Sequence, residues 1–132
     1  MGVYKTKAFS RFSRKAGLSR EALIEAARAV MSGRCDADLG RGVFKQRVAR
    51  PGGGKSGGFR TLLAFRAGGS CFFVYGFAKN DMANLTKKEL EVVQATAAIL
   101  LNYSAGDLAQ VVARGELVEL EPEFDDDESP QA

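Results

Sequence analysis

Glycines divide the middle of this chain and decide what it can fold into. Three runs rich in Val, Phe and Thr, namely Val43 to Ala49, Phe59 to Arg66 and Cys71 to Ala78, are separated by glycine-containing breaks. β-branched and aromatic residues suit a pleated, half-buried surface, and glycine supplies turns between them, so the stretch predicts an antiparallel meander. Its first break is the glycine-dense basic loop Arg50-Pro51-Gly52-Gly53-Gly54-Lys55-Ser56-Gly57-Gly58. Strand alternation puts Lys45 and Arg47 on one face, Arg60 opens the next strand, and Lys79 follows the last. With neighbouring strands ~5 Å apart, these four side chains are expected to converge within reach of one phosphate. Lys55 would close over them from the loop.

On either side of the meander the pattern turns helical. Lys5 to Phe9 alternates polar and apolar residues and reads as a short first strand, while Phe9, Phe12 and Ala16 also fit one helical face. Ser19 is a good N-cap, and Leu23, Ala26, Ala27 and Val30 make a buried stripe that Gly33 ends. Cys35 to Gly42 reads as a turn-rich connection. Its Asp36 and Asp38 are turn or capping residues, because the ligand pattern of a calcium loop is missing. After the meander, Leu85-Thr86-Lys87-Lys88-Glu89-Leu90 is a complete capping box with a hydrophobic staple. Leu90, Val93, Ala97 and Leu101 carry that helix onward, and Ser104 starts a shorter one bearing Leu108, Val111 and Val112. Glu116 to Leu120 reads as a final edge strand or an extended arm. The order implies an α+β fold, a small antiparallel sheet with helices packed on one face.

The chain has 132 residues, enough for one domain with a sizeable core. Two cysteines, Cys35 and Cys71, fall in no metal-like spacing and histidine is absent, so no metal is expected and both thiols read as reduced and buried. No apolar leader opens the chain and no run nears the ~20 apolar residues that span a bilayer, so a cytoplasmic protein without membrane contact is expected. The net charge of +3 hides a partition. Residues 121–132 hold six of the 16 acids and no base, which leaves ten acids against 19 bases, a net +9, in residues 1–120. A basic domain over 1–120 followed by an acidic, disordered tail over 121–132 suggests a polyanionic partner and a tail able to mask its surface.

Gly54-Lys55-Ser56 ends like a nucleotide-binding P-loop, but the first glycine of that pattern is replaced by Ala49 and a strand follows where a helix should open. RNA fits better. Lys45, Arg47, Arg60 and Lys79 form the candidate centre, and Arg50, Lys55, Ser56 and Arg66 the surrounding RNA contacts.

The run Gly54-Lys55-Ser56-Gly57-Gly58-Phe59-Arg60-Thr61-Leu62-Leu63-Ala64-Phe65, then Phe72 to Asn80 and the Leu85-Thr86-x-x-Glu89 helix start, resembles the RelE/HigB-type toxins of bacterial type II toxin–antitoxin systems. The resemblance covers roughly residues 3 to 115. It implies a curved antiparallel sheet backed by helices and a metal-independent endoribonuclease without cofactor. Such an enzyme cuts mRNA on the ribosome, so translation and growth stop. It also implies a helix-turn-helix antitoxin as partner, with operator DNA bound only through that antitoxin. In such enzymes the ribose 2′-OH attacks the adjacent phosphate. Carried over by position, Lys45, Arg47, Arg60 and Lys79 are the catalytic residues. Without histidine a lysine must serve as general base, and Lys45, with Arg47 and Arg60 as charged neighbours, takes that role. Relatives with a catalytic tyrosine place it where this chain has Ala83, Asn84 and Leu85; Tyr75 lies inside the strand and is expected to face the core. The same fold also serves ParE-like toxins that inhibit DNA gyrase, and a non-cleaving RNA-binding relic is the remaining alternative.

Overall fold

The computed structural model describes residues 2–49, 58–78 and 85–121. Ten elements follow in order: β1 (Val3–Thr6), α1 (Lys7–Ala16), α2 (Arg20–Met31), β2 (Ala37–Gly40), β3 (Val43–Val48), β4 (Phe59–Phe65), β5 (Cys71–Ala78), α3 (Lys87–Leu101), α4 (Ala105–Ala113) and β6 (Leu117–Glu121). The strands form one six-stranded sheet in the order β2-β3-β4-β5-β1-β6. The meander β3–β4–β5 is antiparallel as the glycine spacing predicts. The sheet is nevertheless mixed, because β1 enters parallel to β5, with Val3 opposite Cys71, and β6 closes antiparallel on β1.

Local chemistry explains the boundaries. Thr6 Oγ1 accepts the Phe9 N–H at 3.1 Å and caps α1, so the strand expected over Lys5 to Phe9 gives way to helix at Lys7. Ser19 caps α2 through the Ala22 N–H at 3.1 Å, and Leu23, Ala26, Ala27 and Val30 are all buried. The Thr86–Glu89 capping box is formed in both directions, at 2.9 and 3.0 Å. Ser104 and Asp107 make a second one at α4. The Cys35–Gly42 connection contains a strand that the turn residues concealed. β2 and β3 are joined by the two-residue turn Arg41-Gly42, both at positive φ (57° and 82°), as hairpins with primed turns require. Asp38 Oδ1 accepts the Gly40 N–H at 2.9 Å, a turn role as expected.

The expectation of helices on one face is corrected by the core, which lies on both sides of the sheet. On one side α1 and α2 cover Val48, Leu63, Cys71 and Phe73 through Phe9, Leu23, Ile24, Ala27 and Val30. On the other, α3 and α4 cover Val43, Leu62, Ala64 and Phe72 through Val93, Ala97, Leu100, Leu108 and Val111. Leu62, Leu63 and Ala64 are each 0 % exposed. Three consecutive buried apolar residues in one strand require a layer on each face. Glu121 belongs to β6 rather than to a tail: it pairs with Val3, and its carboxylate takes Arg28 of α2 at 2.6 Å. The acidic stretch after it lies outside the described residues.

Candidate active site

The β3–β4 register sets Arg47 directly opposite Arg60, with Gln46 opposite Thr61 and Lys45 opposite Leu62. On the far side of β4, Phe77 stands opposite Arg60 and Tyr75 opposite Leu62. Directly opposed residues share a face of the sheet, with Cα atoms ~4.5–5.5 Å apart. Lys45, Arg47, Arg60, Tyr75 and Phe77 therefore belong to the face that α3 covers, in two adjacent rows. Arg47 is exposed, while Lys45 and Arg60 are half-buried. Among the described residues, Arg60 Nη1 is a buried side-chain nitrogen without a hydrogen-bond partner.

The backbone around this pair is held firmly. Thr61 is fully buried, and its Oγ1 donates to the Gln46 carbonyl at 2.8 Å, locking β3 to β4 beside the arginines. The Asp36 carboxylate accepts the Arg47 N–H at 2.7 Å, and the Gln46 side-chain oxygen accepts the Asp36 N–H at 3.0 Å. Asp36 thus serves the β3 edge where β2 no longer runs. Gly58 brings the strands together at the mouth of the basic loop, since a Cβ there would lie 2.4 Å from the Val48 carbonyl oxygen.

A β-bulge between Leu62 and Leu63 changes which face β5 presents. Leu63 pairs with Phe73 and Leu62 with Tyr75, so Val74 is the extra residue. Phe73 packs in the α1–α2 core, yet Tyr75 and Phe77 pack on the α3–α4 side. Simple alternation from Phe73 would send Tyr75 into the first core. The bulge instead turns it onto the arginine face, where it is half-buried, packs at a 43° tilt against Phe77 (5.9 Å between centroids) and lines a cavity of about 460 Å³. The sequence expectation that Tyr75 faces the core holds in part: it packs against the α3–α4 cluster but keeps half its surface open.

The expected constellation is brought together in part. Lys45, Arg47 and Arg60 share the face. Arg66 lies beyond the opposite end of β4, where its guanidinium donates to the Leu101 carbonyl at the C-terminus of α3, a favourable place for a cation. Lys79, Arg50, Lys55 and Ser56 lie outside the described residues. Among the described residues no group of three His, Cys, Asp or Glu side chains is placed to hold a metal ion. Cys71 is deeply buried, which pushes its thiol up to about 12; Cys35 is half-buried and also free.

With this geometry in place, comparison with protein families is decisive. A family model described as the RelE toxin of the RelE / RelB toxin–antitoxin system matches residues 1–120. The chain belongs to the RelE toxin family. Its match spans every described element except the last residue of β6, so the fold and the arginine-bearing meander fall within the RelE domain. No curated protein matches the chain at a significant level. As a RelE toxin it is one half of a toxin–antitoxin pair, and an antitoxin is its implied partner. No described helix is long and apolar enough to cross a membrane.

Proposed function

We propose that this RelE-family toxin is a metal-independent endoribonuclease that cuts translated mRNA on the ribosome in the cytoplasm. Its partner in this reading is a HigA-like helix-turn-helix antitoxin, through which alone the pair contacts operator DNA. The observation that carries the reading is the Arg47–Arg60 pair, two cations set side by side on the sheet with one buried guanidinium nitrogen left unpaired. Like charges directly opposed on neighbouring strands oppose folding. A phosphate held between them turns that cost into binding.

The reaction follows from the residue types. The 2′-OH of a ribose attacks the adjacent phosphorus, its proton passing to a base; the P–O5′ bond breaks, and the 5′ oxygen gains a proton. The products are a 2′,3′-cyclic phosphate and a 5′-OH. Negative charge grows on the phosphoryl oxygens in the transition state. The planar fork of Arg60, assisted by Arg47, stabilises it there, in a partly desolvated setting where fixed donors act most strongly. Lys45, one row along the same face, is assigned as the base, and Lys79 is assigned to protonate the leaving oxygen. Arg50, Lys55 and Ser56 of the glycine loop are the proposed contacts to flanking phosphates. Arg66, occupied at the other end of β4, is a peripheral contact at most.

Induced expression in a bacterial host tests the reading. The wild type should arrest growth and produce translation-dependent mRNA 5′ ends bearing hydroxyls, both lost in Arg60→Gln. Growth arrest with intact messages and inhibited gyrase would replace it with the ParE-like reading; absence of arrest would leave an RNA-binding relic.

A further inference from the structure

We infer that the groove between α2 and the open edge of β3 is the seat of the chain's own acidic segment, residues 122–128, which enters with Phe124 and brings its carboxylates to the arginines at the rim. The contact stands apart from the ribonuclease reading; its consequence, competition between the segment and RNA, rests on that reading and adds regulation to it. The groove, about 460 Å³, is floored by Ala22, Ala26 and Ala29 of α2 and by Val48 of β3. Its rim carries Glu25, Arg34, Asp36 and Arg47. A cavity of ~150 Å³ already admits benzene, so a phenyl ring fits here together with the backbone that carries it.

The place where β6 ends argues for this occupant. Leu120 packs in the α1–α2 core, and the Glu121 carboxylate takes Arg28 at 2.6 Å, so the chain leaves the sheet on the α2 side. Arg28 lies one helical turn from Glu25 and next to Ala29, both of which line the groove. Phe124 follows Glu121 by three residues, a reach of ~10 Å, which matches the ~10 Å width of the helix it has to cross. It is the one aromatic residue in 122–132. Asp125, Asp126, Asp127 and Glu128 come directly after it, so a ring held on the alanine floor sets four acids along the rim.

Charge separates this groove from its rival. A second groove near β6, against α4, is lined by Glu119 and by no cation, so an acidic segment is repelled there. Arg34 and Arg47, by contrast, stand without an ion pair among the described residues. The Asp36 carboxylate is already taken by the Arg47 N–H at 2.7 Å, and Glu25 is exposed, where water and salt screen its opposing charge. β2 pairs with β3 only as far as Lys45, so Arg47 borders the groove on one side while facing Arg60 on the other. Carboxylates held at that edge act on Arg47 across less than the ~8 Å screening length of physiological salt. On the proposed reading they meet a cation that a phosphate needs, and segment and RNA exclude each other.

The chain contains no tryptophan, so Phe124→Trp in the full chain gives a single indole to follow. Its emission should be blue-shifted and shielded from acrylamide. Both properties should be lost when Ala29→Gln is added, since the longer side chain fills the groove, with melting curves showing that each variant is folded. Adding a short 2′-deoxy-oligonucleotide, which lacks the attacking hydroxyl, should release the indole in the same way. Replacing Asp125, Asp126 and Asp127 with Asn and Glu128 with Gln should tighten oligonucleotide binding about 5-fold or more at low salt, and the difference should close at high salt. Solvent-like emission from the indole would overturn the docking. Blue-shifted emission indifferent to Ala29→Gln would also overturn it, by seating the segment elsewhere, and so would a shift that grows with protein concentration, by giving the groove to a second copy. Oligonucleotide affinity that the neutral segment leaves unchanged, while Arg60→Gln still weakens it, would overturn the competition and leave the ribonuclease reading intact. No effect of Arg60→Gln would instead overturn the phosphate centre and the competition with it.

Discussion

Arg47 and Arg60 stand opposite each other on adjacent antiparallel strands, and no described carboxylate forms an ion pair with either. A fold under selection for stability alone would put an acid at one of these positions. Replacing Arg47 with Gln should therefore raise the melting temperature slightly while weakening RNA binding. Because each phosphate neutralised on a single strand contributes about 0.7 to the salt slope, the slope of log K against log salt should fall by about that amount. A titration at four salt concentrations checks it.

Gly58 sits just before β4, against the end of β3. A Cβ at that position meets the Val48 carbonyl oxygen, which is backbone and cannot swing aside. Gly58→Ala is predicted to cost about 1–3 kcal/mol and to lower RNA binding as well, since only the Val48–Phe59 pair separates it from the Arg47–Arg60 row. Urea denaturation and RNA titration on the same preparation measure both effects.

Much of this was legible in the sequence, and the failures have physical causes. The strands Val43–Val48, Phe59–Phe65 and Cys71–Ala78 announced themselves through β-prone runs between glycines, and α2 and α3 through caps and stripes. The sharing of one face by Lys45 and Arg47 followed from alternation alone. Long-range pairing did not. The parallel entry of β1 beside β5 depends on contacts some 70 residues apart in the chain, such as Val3 with Cys71. The second helical layer was hinted at by Leu62-Leu63-Ala64, an unbroken apolar run that one-sided burial would not need. Tyr75 faces a core as expected, but which of the two cores it joins is set by the bulge, and an extra residue leaves no mark on composition.

α3 covers the face that carries the candidate site, and its first turn depends on reciprocal bonds between Thr86 and Glu89. Thr86→Ala removes the acceptor of the Glu89 N–H and should destabilise the protein by about 1 kcal/mol. The urea midpoint should fall without a change in slope.

Lys5 is tucked against α1, where its Nζ donates to Ser13 Oγ at 3.3 Å. Burial, and then the Arg14 charge, lower its pKa below the usual lysine value of 10.5. A base whose pKa is lowered by folding binds fewer protons in the folded state than in the unfolded one, so stability rises with pH between the folded pKa and 10.5. Lys5→Met is predicted to be more stable than the wild type at neutral pH, and the difference should shrink as pH climbs through that window. Melting curves from pH 7 upward on both proteins provide the comparison.

On the proposed reading Arg60 is kept for phosphate chemistry at the expense of the fold, and a single substitution separates the two. Arg60→Leu removes a like-charge opposition and a buried unpaired nitrogen, and sets an apolar side chain beside Phe77. Exchanging unpaired buried charge for apolar bulk is commonly neutral or stabilising. Melting temperature and mRNA cleavage in a translating extract should be measured together on wild type and Arg60→Leu. An equal or higher melting temperature with cleavage abolished is expected. A lower melting temperature with cleavage retained would show that Arg60 serves the fold and not the reaction.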